Sequence, residues 1–354
     1  MNRKAVKNKS ALNVGIVGFG LSGQVFHAPF IEENPNFNLH TIATSQALAA
    51  RKYRGIKIAD SIDDLLADPA IDLVVICTPN ALHYPHAKAA VLARKHVIIE
   101  KPFSASTTQA QSLIKLAGET GKFIFPYHNR RWDSDFLTLK QIIAHGSLGE
   151  IVDYESRFDR FAPEIVRAAW KYQQTEGGGT LFDLGTHLID QAINLFGKPE
   201  GVFCQLFNQR EGSVTDDSFD LRLIYPGLNV TIKASVFVKE AGPRFQVHGT
   251  KGSFIKYGLH PQEAALKKDK KPGSRRFGIE PVSTYGILNT IVSGKELRAR
   301  CLALPGDYMA FYDNVYSVIA ESGTIAIEPE DALLNLLIIE AARKSDNEKK
   351  IILL

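Results

Sequence analysis

The sequence predicts an α/β protein in two parts. A parallel sheet flanked by helices fills the first third, and an α+β domain on a mainly antiparallel sheet follows. Three observations carry this. Short β-branched runs alternate with helical patterns from residue 11 to about 128, the signature of parallel βαβ units. Beyond that point strands succeed one another across short turns, which calls for antiparallel pairing. The chain has 354 residues, more than the roughly 250–300 that one hydrophobic core accommodates.

Taken in order, Leu12–Val17 reads as a strand ending in a glycine turn, and Gln24–Glu33 as a helix. Phe37–Thr44 is a strand and Gln46–Arg54 a helix. Ile71–Thr78 is nearly continuously apolar, as a strand covered on both faces must be. Ala81–Arg94 carries apolar residues at helical spacing, and His96–Glu100 is a strand. Ser106–Glu119 is amphipathic, Gly121 suits its C-terminal cap, and Lys122–Tyr127 is a strand.

The texture then changes. A helix, Asp135–His145, stops at Gly-Ser-Leu-Gly; the strand Glu150–Phe158 follows, and Gly177–Gly179 opens a helix from Thr180 to Phe196. Strands cluster at Gly201–Gln209, Ser218–Tyr225, Asn229–Val238, Arg244–Gly249 and Gly252–Lys256. Lys267–Arg276 (KKDKKPGSRR) reads as a solvated surface loop. Helices at Asp307–Glu321 and Glu330–Lys344 close the chain and are candidates to pack back on the first domain.

Composition narrows the function. Hydrophobic residues at 45% and charged residues at 23% exclude a disordered or fibrous chain. The net charge of +4 comes from Arg3, Lys4, Lys7 and Lys9, because removing those four leaves 38 basic against 38 acidic residues. Residues 1–10 therefore read as a disordered basic tail on a neutral body, which argues against a nucleic-acid partner. No apolar run approaches the roughly 20 residues needed to span a bilayer, and the tail lacks the apolar stretch of a secretory signal. Cys77, Cys204 and Cys301 are odd in number and far apart, which suits a reducing cytoplasm. No metal-binding spacing occurs.

Gly18-Phe19-Gly20-Leu21-Ser22-Gly23 fits GxGxxG, and it follows a strand and opens a helix. In that setting the first glycine permits the tight turn, the second admits a pyrophosphate, and the third lets helix and strand pack closely. Helix N–H groups then face the phosphates. Residues 11–128 thus read as a dinucleotide-binding Rossmann domain and 129–354 as a second, substrate-binding α+β domain. No Asp or Glu occurs from Asn34 to Ala59, where an acid would grip a ribose 2′-hydroxyl; Ser45 and Arg51 stand there instead. This favours NADP, with NAD as the other possibility.

Two constellations could carry chemistry. Glu100-Lys101-Pro102 follows a strand, and ligands of open α/β sheets bind beyond the carboxyl ends of strands. Asp183 and His187 are four apart on a helix, with Asp190 three further, so a carboxylate could orient the imidazole and hold its pKa near neutrality. The three glycines before them would let a ligand approach.

Together, GFGLSG (18–23), TPNALH (78–83), EKP (100–102) and GGGTLFDLGTHLID (177–190) resemble the Gfo/Idh/MocA family of NAD(P)-dependent sugar and polyol dehydrogenases. FHAPF (26–30), HNRRWDSDFLTLK (128–140) and VHGTKGSFIKYGLHPQE (247–263) are similar to its subgroup of NADP-dependent scyllo-inositol dehydrogenases. The resemblance implies an open antiparallel sheet as a subunit contact, hence a homodimer or homotetramer. It implies Lys101, Asp183 and His187 as the catalytic group: His187 takes the hydroxyl proton, Asp183 orients the imidazole, and Lys101 stabilises charge on oxygen. Cofactor contacts would fall at Gly18, Phe19, Gly20, Leu21, Gly23, Ser45, Arg51, Thr78, Pro79, Asn80, His83, Glu100, Lys101 and Asn129. For a cyclic polyol or sugar, scyllo-inositol-like, Tyr127, His128, Arg131, Asp159, Arg160 and Trp170 are candidate contacts by position. An NAD-dependent glycosidase or a non-catalytic dinucleotide sensor on the same fold is the alternative.

Overall fold

The computed structural model describes residues 11–46, 52–53, 55–165 and 177–354. Most of the helix expected at Gln46–Arg54 lies outside these, as do Arg51 and Trp170. Six parallel strands form the first sheet: β1 (Leu12–Val17), β2 (Phe37–Ala43), β3 (Lys57–Ala59), β4 (Leu73–Ile76), β5 (His96–Ile99) and β6 (Ile124–Pro126). Their order is β3-β2-β1-β4-β5-β6, so the winding reverses between β1 and β4. That reversal opens a crevice at the carboxyl ends of the strands, where the glycine turn and Glu100–Lys101 both emerge. All four residues of β4 are buried, as helices on both faces require. The edge strand β3 is three residues long, too short to carry a pattern in the sequence.

The second sheet has nine strands: β7 (Ile151–Arg157), β8 (Gly201–Phe207), β9 (Ser218–Tyr225), β10 (Leu228–Ala234), β11 (Phe245–Gly249), β12 (Gly252–Lys256), β13 (Ile287–Val292), β14 (Lys295–Arg300) and β15 (Ile352–Leu353). The order is β14-β13-β12-β11-β7-β10-β9-β8-β15, and among the described residues β7 with β10 is its one parallel pair. The β13–β14 hairpin was not foreseen. Every residue of β14 is exposed, so Lys-Glu-Leu-Arg-Ala-Arg lacks the apolar alternation of a half-buried strand.

Helix termini follow their local chemistry. Ser106 accepts the Gln109 N–H at the start of the Thr107–Thr120 helix, and Gly121 ends it at φ 66°. Two expected helices begin instead with a wider π turn. Gly23–His27 precedes the Ala28–Glu33 α-helix, and Leu181–Gly185 precedes Thr186–Phe196. In the first, Pro29 has no N–H to donate back along the helix, so the bonding pattern restarts there. Such turns concentrate at functional sites.

The closing helices tie the two sheets together. Phe311, Tyr312 and Val315 of the Met309–Glu321 helix share a core with Val14, Ile16 and Phe30 of the first sheet's layer. Leu336 and Ile339 of the Pro329–Glu348 helix pack with Ala110, Leu188 and Ile189, and Glu340 accepts from Thr107 N (2.8 Å). The crevice therefore has a fixed second wall. Among the described residues no helix is long and apolar enough to cross a membrane, and none of their His, Cys, Asp and Glu side chains group in threes to hold a metal.

Candidate active site

The glycine turn leaves β1 with Gly18 at φ 84°, and a Cβ there would lie 2.8 Å from the Cys77 carbonyl oxygen. A Cβ on Gly23 would lie 2.8 Å from the Gly18 oxygen, so the third glycine is needed for close packing. Around Gly20 there is open space within 4 Å. Room at the second glycine, with tight walls at the first and third, is the cradle a pyrophosphate fits. Phe19 is buried edge-on against Tyr53, so only its backbone can face a ligand, whereas Leu21 is exposed. Gly18→Ala is expected to cost roughly 1–3 kcal/mol of stability and to weaken dinucleotide binding at least about tenfold. Gly20→Ala should change stability by less than about 0.5 kcal/mol while still weakening binding. Thermal unfolding and a fluorescence titration with NADPH check both.

β5 delivers Glu100 and Lys101 to the crevice. Glu100 is buried and accepts from Ser22 Oγ, from His27 Nε2 (3.1 Å) and from the Lys101 N–H (3.0 Å). Burial pushes its pKa up, but His27, Ser22 and Lys101 outweigh that and hold the carboxyl below its usual range. The Lys101–Pro102 peptide is cis. Lys101 Nζ donates to the Asp183 carbonyl (2.8 Å) and to Asp183 Oδ1 (2.7 Å), joining the two constellations.

This pairing differs from the expected one. His187 Nδ1 is buried without a hydrogen-bond partner, and the Asp183 carboxylate serves Lys101. The π turn over Leu181–Gly185 breaks the i, i+4 stacking on which the Asp183–His187 pairing depended. Nor is the imidazole held near neutrality: burial, then the nearby cations Arg130 and Lys101 together with His128 and Arg244, push its pKa well below the usual range. His187 is therefore a neutral base. Gly179, at φ 99°, lies against the Asp216 carboxylate, which accepts the Leu181 N–H (2.7 Å) and pins the turn.

The remaining candidates divide. Asn80 is buried and donates to the Gly177 carbonyl (3.0 Å), tying the TPN segment to the Gly177–Gly179 run. Thr78 and Pro79 sit at the carboxyl end of β4, and His83 bridges the Thr78 (2.8 Å) and Pro102 (2.7 Å) carbonyls. Ser45 is exposed just past β2, and Asn129 is buried just past β6. Arg131, by contrast, is committed inside the protein, donating to both Asp190 oxygens (2.7 and 2.9 Å) and to Asp331 (2.9 Å). Tyr127 donates to the Phe26 carbonyl (2.8 Å), and His128 lies 4.0 Å from Asp190, both buried. Asp159 accepts the Ser235 N–H (3.1 Å), and Arg160 keeps a buried Nε with no partner. Sequence reasoning missed Ser22, His27, Asp216 and Tyr312. Of these, His27 lay in FHAPF and Ser22 in GFGLSG, whereas Asp216 and Tyr312 lay in no quoted motif.

Comparison with known proteins identifies the family of both domains. Residues 12–128 match the profile described as "Oxidoreductase family, NAD-binding Rossmann fold" of GFO_IDH_MocA, and residues 140–354 its "C-terminal alpha/beta domain". The chain is 37% identical to scyllo-inositol 2-dehydrogenase (NADP(+)) IolW of Bacillus subtilis, over 99% of this chain and 98% of that one. Among solved structures, yvaA of Bacillus subtilis, described as an oxidoreductase, superposes with a TM-score of 0.95 at 37% identity, covering 99% and 100% of the two chains. A Bacteroides fragilis structure with the same description gives 0.90 at 42% identity, covering 98% and 100%.

Proposed function

The chain belongs to the Gfo/Idh/MocA oxidoreductase family, and from that premise we propose that it moves hydride between NADP(H) and a CH–OH group, or the matching ketone, of a cyclic polyol or sugar of the scyllo-inositol kind. The observation that carries this reading is the Lys101 ammonium, fixed by two contacts to Asp183 beyond β5, near the neutral, buried His187. Bound along the glycine turn, the dinucleotide supplies the hydride acceptor or donor. In alcohol oxidation the hydroxyl proton must leave as the hydride does, and neutral His187 has a free lone pair for it. Lys101 places positive charge where the oxygen turns negative, and Asp183 fixes that charge in position. Ketone reduction runs the same path backward.

Two features support NADP over NAD. Ser45 is exposed at the end of β2 with no carboxylate from Asn34 to Ala59, and the Bacillus subtilis relative carries NADP(+) in its name. A carboxylate there would repel a 2′-phosphate. Following absorbance at 340 nm with NADP or NAD across inositols and aldoses tests the reading, with NADP-linked turnover of a cyclic polyol as the expected outcome. Ser45→Asp is expected to shift the NADP-to-NAD ratio of kcat/KM toward NAD by at least about tenfold, or about 1.4 kcal/mol. An unchanged ratio would remove Ser45 from phosphate recognition.

A further inference from the structure

The FHAPF run has no part in the mechanism above, yet it places a fully buried imidazole against the site. The Gly23–His27 π turn carries His27 inward, where Nε2 lies 3.1 Å from Glu100 Oε1 and Nδ1 lies 2.7 Å from the Tyr312 hydroxyl. Tyr312 comes from the Met309–Glu321 helix, stacked on Phe30 with ring centroids 5.5 Å apart. The Tyr127 ring packs tilted against the imidazole, centroids 4.2 Å apart, with its hydroxyl on the Phe26 carbonyl. The ring is thus held at both nitrogens and packed against Tyr127. An ionised Glu100 can only accept, so His27 Nε2 carries the proton; in the neutral ring Nδ1 then accepts from the Tyr312 hydroxyl.

Glu100 is the hub of this arrangement. Oε1 takes His27 and Ser22, the latter within the glycine turn, while Oε2 takes the backbone N–H of Lys101. One carboxylate therefore joins the phosphate-binding turn to the backbone of the lysine that would meet substrate oxygen. A buried carboxylate with a missing donor turns toward water or another donor, because an unsatisfied charged group is costly to bury. Without His27 the carboxylate would leave the Lys101 N–H, and the Lys101–Asp183 contact would loosen with it.

We propose that His27, oriented by Tyr312, is a positioning residue: through Glu100 it sets the Lys101 ammonium and couples that placement to the glycine turn. The proposal rests on the reading of Lys101 given under Proposed function, so its test includes a measurement that needs no turnover. The full-length chain, wild type and His27→Leu, His27→Gln, Tyr312→Phe and Lys101→Ala variants, would be compared in two ways. One is the rate of Lys101 acetylation in the free protein by an N-hydroxysuccinimide ester, read by peptide mass spectrometry against Lys115, an exposed reference. The other is kcat and KM for NADP-linked oxidation of scyllo-inositol, with Tm.

His27→Leu is expected to speed Lys101 labelling at least threefold relative to Lys115. It should also lower kcat about tenfold or more, leaving the polyol KM within about twofold. Gln can place a donor where His Nε2 stands, so His27→Gln should recover kcat to within about threefold of wild type. Tyr312→Phe should fall between, because it frees the imidazole to rotate. A His27→Leu protein with reduced Tm but wild-type labelling and kcat would overturn the proposal, as would His27→Gln behaving like His27→Leu. Should His27→Leu not fold, Tyr312→Phe decides: labelling and kcat both at wild-type values would overturn it. If Lys101→Ala keeps turnover while His27→Leu alters labelling, the functional reading fails and the positioning role stands. The reverse pattern sinks the positioning role alone.

Discussion

Replacing Lys101 by alanine should lower kcat about 10²–10³-fold, the usual effect of removing one charge that stabilises a developing oxyanion, while NADPH affinity stays within about threefold. The ammonium makes its two contacts to Asp183, and no backbone of the glycine turn depends on it. The loss should therefore appear in kcat rather than in binding. Lys101→Arg should not rescue it: a planar guanidinium cannot reproduce a point charge held between one carbonyl and one carboxylate oxygen. Initial rates together with a fluorescence titration of NADPH separate the two effects. Turnover near wild type in Lys101→Ala would remove the lysine from the chemistry.

His187→Asn carries the second large effect, a fall in kcat of about 10²–10⁴-fold, the range general base catalysis supplies. It also has a pH signature. Burial and surrounding cations push the His187 pKa well below the usual imidazole range, so the folded chain binds fewer protons than the unfolded one below pH about 6.5. Stability contributed at neutral pH is thus lost as pH falls below that value, and His187→Asn should shrink the drop in urea midpoint between pH 7 and pH 5. It shrinks rather than vanishes, because His83, His128 and His260 are depressed by burial too. For the same reason the oxidation rate of the wild type should not fall through loss of this base between pH 8 and pH 6. A kcat that drops with a pKa near 6.5 and is unchanged in His187→Asn would point to another base.

The parallel half of the fold was legible because buried parallel strands have no solvent face. Residues 73–76 are apolar at every position and buried at every position. The edges were not legible. Three residues at Lys57–Ala59 are too few to show a period, and β14 hides no face at all. For the site, glycine spacing and the strand–turn–helix context were enough to place the tight Gly18–Gly23 turn between β1 and the helix that follows. What the sequence misdirected was the wiring among charges. Asp183 and His187 are four apart, and four apart means one face only on an α-helix; a π turn cannot be read from spacing. Arg131 looked available because its partners, Asp190 and Asp331, lie 59 and 200 residues away. The His27–Tyr312 contact spans 285 residues and has no local signal either.

The most direct measurement is isotopic. Scyllo-inositol deuterated at its ring carbons would be incubated with the chain and NADP, and the reduced dinucleotide weighed by mass spectrometry. Direct hydride transfer predicts one deuterium on the nicotinamide of each NADPH formed, and one ketone for each NADPH. A chain that binds NADPH yet forms no reduced dinucleotide from any inositol or aldose, or forms it without deuterium, would contradict the account.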